Sequence, residues 1–339
     1  MSNLEIVGLG ALNMDDIYQV DRITGDKERA VNTKIAERAP GDEYEEPARK
    51  PLGKFPGGSA ANTIYGLAKL GVKAGFIGVI GDDDDGKALL NGFQEVGIDI
   101  SKIKVKPKAK TGLAMCLSDK LNFRSIRVTP GANSLLTTDD VDLEYMNQSE
   151  ILHISSFADD AQLEILLGLV DKLGSSVKIS FSPGTLYTAK GTEALNSILA
   201  RTYVLFLNEQ EIKQLTGKDF SAGAEVCLKL GCHIVVVTLG QGASYKTVMA
   251  TSYIRDGENE YIVERGNKNM VSALDTTGAG DAFAAGFLYG LLNGKGLEEC
   301  GRLGDVVARF SISKVGARQG LPTLDELSQR SRELYDKEL

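Results

Sequence analysis

Asp275-Thr276-Thr277-Gly278-Ala279-Gly280-Asp281-Ala282-Phe283 follows a β-type region and opens a run of small and apolar residues, Ala282 to Leu292, that reads as a buried helix. Gly278-Ala279-Gly280 carries almost no side chain. Backbone N–H groups can therefore come close to a charged ligand, at the point where a helix leaves its first donors unpaired. The positive end of the helix dipole favours an anion there. Asp281 is the odd member, because a carboxylate beside an anion repels it. The pairing makes chemical sense if Asp281 takes the proton of a hydroxyl attacking a phosphoryl group while the backbone holds the charge that develops. A lone Gly-x-Gly-Asp would fit a plain helix start, with glycines for close packing and Asp281 as a first-turn charge.

Far upstream, Pro56-Gly57-Gly58-Ser59-Ala60-Ala61-Asn62 opens a second small-residue helix, which runs through Ile64, Leu67, Ala68 and Leu70 to Gly71, a common residue just past a helix end. Gly57-Gly58 gives backbone freedom at its start, and Asn62 points back toward that start. A capped helix packed on a sheet explains the glycines but not Asn62. Before it, Leu4 to Leu9 reads as a buried first strand running into Ala11-Leu12-Asn13-Met14-Asp15-Asp16. Polar residues just past the carboxyl end of such a strand sit where α/β sheets bind ligands. Asp15 could accept hydrogen bonds from two sugar hydroxyls; the alternative is an Asx turn made by Asn13 or Asp16.

The two motifs, in this order, resemble the signatures of the PfkB or ribokinase-like family of sugar and nucleoside kinases. The resemblance implies that Asp281 is the catalytic base and that the backbone of Gly278, Ala279 and Gly280 is the anion hole. It implies substrate-hydroxyl contacts from Asp15, Gly58 and Asn62, with Gly57 beside them. It also implies a three-layer α/β fold with a doubly wound, mostly parallel sheet and a small β lid. That lid is expected from about 16–56 and 111–129, in one domain spanning 1–339. ATP is the implied co-substrate.

Composition agrees with this class. The chain has 339 residues, 42% hydrophobic and 25% charged, with a net charge of −8, which argues against a general nucleic-acid binder. No apolar run reaches the ~18 residues of a membrane span. Met1 to Glu5 lacks a basic segment followed by an apolar one, so no signal peptide is expected. Cys116, Cys227, Cys232 and Cys300 suggest neither a disulfide framework nor a zinc site, and a reduced cytoplasm fits.

Between the motifs, Ile17 to Ile23 looks strand-like, and Gly25 to Phe55 is irregular and charged, with weak alternation from Ala30 to Ala39. It could be a longer lid or a surface loop. Gly75 to Ile80 reads as a strand. The acids Asp82 to Asp85 read as a turn capping a helix from Gly86 to Val96, with no EF-hand pattern. Gly112 to Leu117 and Phe123 to Val128 read as a hairpin. Strands at Ile151–Ser155, Val177–Phe181, Tyr203–Leu207 and Ile234–Thr238 alternate with helices at Ala161–Leu173, Glu193–Leu199, Glu209–Leu215 and Ala222–Leu230, which predicts a parallel sheet covered on both faces. Ala250 to Val263 reads as edge strands, Leu297 to Val315 as a helix, and Thr323 to Leu334 as a closing helix.

Asn208 with Glu211 fits a capping box. The resemblance assigns the same pair to the nucleotide side, with Glu211 facing Mg²⁺ through water. It places Thr238 and Gly240 against the nucleotide; Gly242 is offset from the usual spacing by one residue. A monovalent-cation site, K⁺ being the candidate, would use oxygens of Asp275 and Thr277. The expected activity is transfer of the γ-phosphoryl group of ATP to a sugar or nucleoside hydroxyl. No Walker-type P-loop occurs. Two alternatives stay open: a phosphosugar or vitamin alcohol as acceptor, or a non-catalytic nucleotide- or sugar-binding homologue. A phosphosugar would need a cationic clamp, for which Lys54, Arg124 and Arg127 are the candidates. His153 could touch substrate or be structural. Partners are small molecules, with neither nucleic acid nor membrane expected, and the resemblance leaves open a homodimer through the lid.

Overall fold

The computed structural model describes residues 4–20, 33–34, 51–119, 124–265 and 273–335. The strands among them are Ile6–Leu9 (β1), Asn13–Val20 (β2), Thr33–Lys34 (β3), Gly53–Gly57 (β4), Ala74–Gly81 (β5), Asp99–Lys106 (β6), Gly112–Asp119 (β7), Arg124–Thr129 (β8), Ile151–Ser155 (β9), Lys178–Ser182 (β10), Thr202–Asn208 (β11), Ile234–Tyr245 (β12), Val248–Arg255 (β13) and Glu260–Glu264 (β14). Nine of them form one sheet in the order β14-β13-β12-β11-β10-β9-β1-β5-β6. It is parallel from β6 to β12, and β13 and β14 pair antiparallel at one edge.

The near-continuous apolar runs follow from burial of both faces. Val235 and Val237 enter one core layer with Leu205 and Leu207, while Ile234 and Val236 enter the other with Val204 and Phe206. The helices Ser59–Lys69 and Ala279–Leu292 contribute Ile64, Leu67, Phe283 and Phe287 to the second layer. The helices Asp160–Val170, Glu209–Thr216 and Phe220–Lys229 cover the first. From β1 the chain builds outward through β5 and β6 on one side and β9 to β12 on the other. The crevice at the carboxyl ends of β1 and β9 is therefore a topological switch point, where such sheets bind ligands.

A second sheet of five strands, β3-β8-β7-β2-β4, stands beside this crevice. Its inner residues Ile17, Ala114 and Cys116 form a small apolar cluster with Phe55, Ile126, Val128 and Val315 around them. Asn133 joins it to the main body: its side chain accepts from the N–H of Leu12 at 2.9 Å and donates to the carbonyls of Leu12 (3.0 Å) and Pro130 (2.9 Å).

Several expectations need correction. The strand read from Ile17 begins earlier: Asn13 to Asp16, just past the carboxyl end of β1, already belongs to β2, paired with β4 on one side and β7 on the other. β6 was not anticipated. The helix after Lys295 ends at Ser311 rather than Val315, where the Ile312 carbonyl takes the N–H of Leu274 at 2.9 Å. The helix expected at Glu193–Leu199 is two short pieces, Gly191–Ala194 and Asn196–Arg201. The weak alternation from Ala30 to Ala39 falls largely outside the described residues.

Candidate active site

Asp281 lies in the first turn of the Ala279–Leu292 helix. Gly278 caps that helix at φ 74°, a left-handed conformation that disfavours any Cβ, and a Cβ there would sit 2.5 Å from Ala317. The first helical bond runs from Ala282 N–H to the Gly278 carbonyl (2.8 Å), and Ala279 N–H goes to the Thr276 carbonyl (3.2 Å). Gly280 and Asp281 therefore carry the donors that the helix start leaves over. Gly280 is exposed, with open space around it.

Two side chains of the upstream motif hold the Asp281 carboxylate. Ser59 Oγ donates to Oδ1 at 2.7 Å, and Asn62 Nδ2 donates to Oδ2 at 2.9 Å. The Thr63 hydroxyl donates to the Asp281 carbonyl at 3.2 Å. The two sequence motifs thus meet at one carboxylate. Burial pushes Asp281 up to about 6, against the lowering effect of the Asn62 and Ser59 hydrogen bonds and the Arg318 charge.

A cleft of about 390 Å³ opens in front of Asp281. One side presents Asn13, Asp15, Gly58 and Asn62 beneath the apolar Ala114, Cys116, Ile126 and Val128 of the small sheet. The other presents Asn208, Glu211, Thr238, Thr277 and Gly278 to Gly280. Among the described residues lining it there is no Lys, Arg or His, but Asp15, Glu211 and Asp281 are all present. Burial raises Asp15 to about 7; Arg318 opposes this, and the charges of Asp281, Asp275 and Asp16 add to it. Glu211 is also lifted to about 7, chiefly by burial; the Asn208 hydrogen bonds oppose the rise and the Asp281 charge adds to it.

Four predicted residues do not line the cleft. Gly57 lies against Asp15, where a Cβ would come 2.1 Å from Oδ1. Asp275 is buried and braces the motif, accepting from Thr277 N–H (3.0 Å), the Thr277 hydroxyl (2.8 Å) and Gly316 N–H (2.9 Å). Gly240 and Gly242 lie past Thr238, in the break in β12–β13 pairing between Thr238 and Ala243. The capping box is present: Asn208 accepts from Glu211 N–H at 2.8 Å, and Glu211 accepts from Asn208 N–H at 2.9 Å.

Of the clamp candidates, Lys54 is paired with Asp85 at 2.5 Å, Arg127 does not line the cleft, and the Arg124 side chain lies outside the described residues. His153 is fully buried on β9, with Nδ1 2.8 Å from Ser180 Oγ, and burial lowers it to about 3. It is structural. Sequence reasoning missed Ser59, although it lies inside a quoted motif, and Arg318, which no motif marks.

Among the described residues no group of three or more His, Cys, Asp or Glu is placed to hold a metal ion alone. Mg²⁺ carried by a nucleotide needs only one or two carboxylates, with phosphate and water completing its shell. Glu211, in a cleft with acidic and no basic lining, fits that arrangement. The four cysteines are buried and none forms a disulfide, and no described helix is long and apolar enough to cross a membrane.

A ribokinase of Haemophilus influenzae is 30% identical over 324 residues, covering 94% of this chain and 95% of that protein. A sugar kinase of Archaeoglobus fulgidus, itself uncharacterised, is 37% identical over 257 residues, 76% of this chain and 98% of its own. The adenosine kinase structure from Sinorhizobium meliloti shares the fold with a TM-score of 0.80, at 23% identity over 97% of this chain and 100% of that one. Residues 31–324 match the pfkB family carbohydrate kinase model, which takes in both motifs and nearly the whole cleft, and the chain therefore belongs to the pfkB family of carbohydrate kinases.

Proposed function

We propose that this kinase transfers the γ-phosphoryl group of ATP to a hydroxyl of a sugar bound over Asp15 and Asn62, with Asp281 as general base. The observation that carries this is the Asp281 carboxylate, held by Ser59 and Asn62 at a helix start whose donors face the same cleft. Phosphoryl transfer needs positioning and charge neutralisation more than covalent help. Asp281 accepts the acceptor's proton. The N–H groups of Gly280 and Asp281 meet the charge on the migrating phosphate. Asp15, fixed by Gly57 behind it, orients the acceptor. Glu211 would hold, through water, a Mg²⁺ brought by the nucleotide, which would supply the neutralisation of phosphate charge that no side chain of the described lining can.

The small sheet acts in this reading as a lid. Its residues Ala114, Cys116, Ile126 and Val128 give the acceptor an apolar cover that keeps water from the transferred group. The absence of a basic side chain among the described lining speaks against a phosphosugar. Both curated relatives described above are named for sugars. The same apolar cover would also accept a base attached to a ribose, so nucleosides belong in the test.

That test is ADP release from ATP and Mg²⁺ with ribose, fructose, 2-keto-3-deoxygluconate, adenosine, inosine and cytidine under one set of conditions. Acceptor-dependent turnover with a sugar is expected. Turnover with nucleosides alone would move the assignment to them, and ATP binding without acceptor-dependent turnover of any compound would favour a non-catalytic binder.

A further inference from the structure

Arg318 lies in the loop after the Leu297–Ser311 helix and is 4% exposed. Its Nε donates to Asn62 Oδ1 at 2.8 Å and its Nη2 to the Gly57 carbonyl at 2.8 Å. The guanidinium lies over the rings of Tyr65 and Phe93, 5.2 and 5.1 Å from their centroids. Nη1 is buried and has no hydrogen-bond partner among the described residues. A charge buried this deeply is a weak stability device, because desolvation offsets much of what its hydrogen bonds return.

We propose that Arg318 is a positioning residue for phosphoryl transfer, acting through the Asn62 amide on Asp281; the proposal rests on the kinase reading above. An arginine can only donate, and an ionised carboxylate can only accept. An asparagine placed between them has one orientation that satisfies both: oxygen toward Arg318 and NH₂ toward Asp281. Arg318 thus prevents the Asn62 amide from turning its oxygen on the base. Its second bond holds the carbonyl of Gly57, the residue packed against Asp15, so one guanidinium steadies both the base and the acceptor ligand. Lysine has the charge but not the fork.

Among the described residues, the charged groups that act on Asp281 are Asp15 from β2, Glu211 from the helix after β11, and Arg318; Ser59 and Asn62 are neutral. Arg318 is the single cation among them and lowers both Asp15 and Asp281. Removing it should therefore move the ionisation of Asp281 to higher pH.

The test compares wild type with R318M, R318K and N62A, and combines each arginine variant with N62A. Carboxyl-carbon NMR of the free protein reads Asp281 without an acceptor. Its midpoint is expected about one pH unit higher in R318M and near the wild-type value in R318K. In turnover, R318M should lose about 10- to 100-fold in kcat with the KM for ATP within about twofold. On the N62A background, R318M or R318K should cost clearly less than on wild type, because the route through the amide is already gone and only the charge and the Gly57 bond remain to be lost. An unchanged Asp281 midpoint in R318M, or an equal cost with and without Asn62, would overturn the proposal. Should R318M fail to fold, R318K supplies the turnover comparison with and without Asn62, and full wild-type kcat in R318K would overturn the role of the fork. A wild type that shows the expected Asp281 titration but phosphorylates nothing would overturn the kinase reading instead.

Discussion

Protonating Asp281 should switch the enzyme off in a pH range where an ordinary aspartate would not. An ordinary aspartate titrates near 3.8, and burial lifts Asp281 to about 6. A base must be ionised to act, so activity is lost as pH falls through that lifted value. The carboxyl is about nine-tenths ionised at pH 7 and about one-tenth at pH 5, so kcat/KM should fall roughly tenfold between them. An aspartate at 3.8 would give an almost flat profile over the same range. Asp15 and Glu211 titrate nearby, at about 7, so the profile alone does not identify the base. Asp281→Asn does: the amide keeps the shape, cannot take the proton, and should lower kcat by about 10²- to 10⁴-fold, or about 3–5 kcal/mol of barrier. ATP affinity, measured by calorimetry, should change little. The assay is kcat/KM against pH with saturating Mg·ATP. A variant within threefold of wild type, or a profile flat to pH 5, would refute the assignment.

Gly57→Ala would bring a methyl group within 2.1 Å of an Asp15 oxygen, so Asp15 must move, and the acceptor KM should rise about tenfold or more; an unchanged KM would show that Asp15 is not an acceptor ligand. Asp15, lifted to about 7, stabilises the fold while protonated and loses that contribution as pH rises through about 7. Asp15→Asn should accordingly raise the stability of the ligand-free protein at pH 8 by about 1–3 kcal/mol and leave it unchanged near pH 3; a lower Tm at pH 8 would contradict the burial account. Glu211→Gln keeps an acceptor for the Asn208 N–H and removes a carboxylate that burial disfavours, so Tm at pH 8 should not fall, while the Mg²⁺ concentration for half-maximal rate should rise about tenfold. An unaltered Mg²⁺ requirement would remove Glu211 from the metal side.

The parallel core was legible because strands buried on both faces spell themselves as apolar runs, as Ile234 to Val237 does. Edge strands do not. β6 mixes Asp99, Lys102, Lys104 and Lys106 with Ile103 and Val105, the charged pattern that protects an open sheet edge and looks like a loop. Asn13 to Asp16 has poor strand propensity and is a strand only because β4 and β7 pair on either side of it. At the site, backbone chemistry showed in the glycines and Asp281 showed through its incongruity. The orientation of Asn62 did not show, because it depends on Arg318, which lies 256 residues away. Nor did the weakened acidities of Asp15 and Glu211, which arise from burial that only the assembled layers create.

The keepers of Asp281 come from opposite ends of the polypeptide: Ser59 and Asn62 are 222 and 219 residues before it, and Arg318 follows it in a chain of 339. During synthesis, therefore, no ribosome-bound nascent chain can hold a complete centre until translation has passed residue 318 and that loop has emerged from the exit tunnel. A chain that stopped short of residue 318 would carry Asp15, Asn62 and Asp281 yet lack the guanidinium that bonds the Asn62 amide.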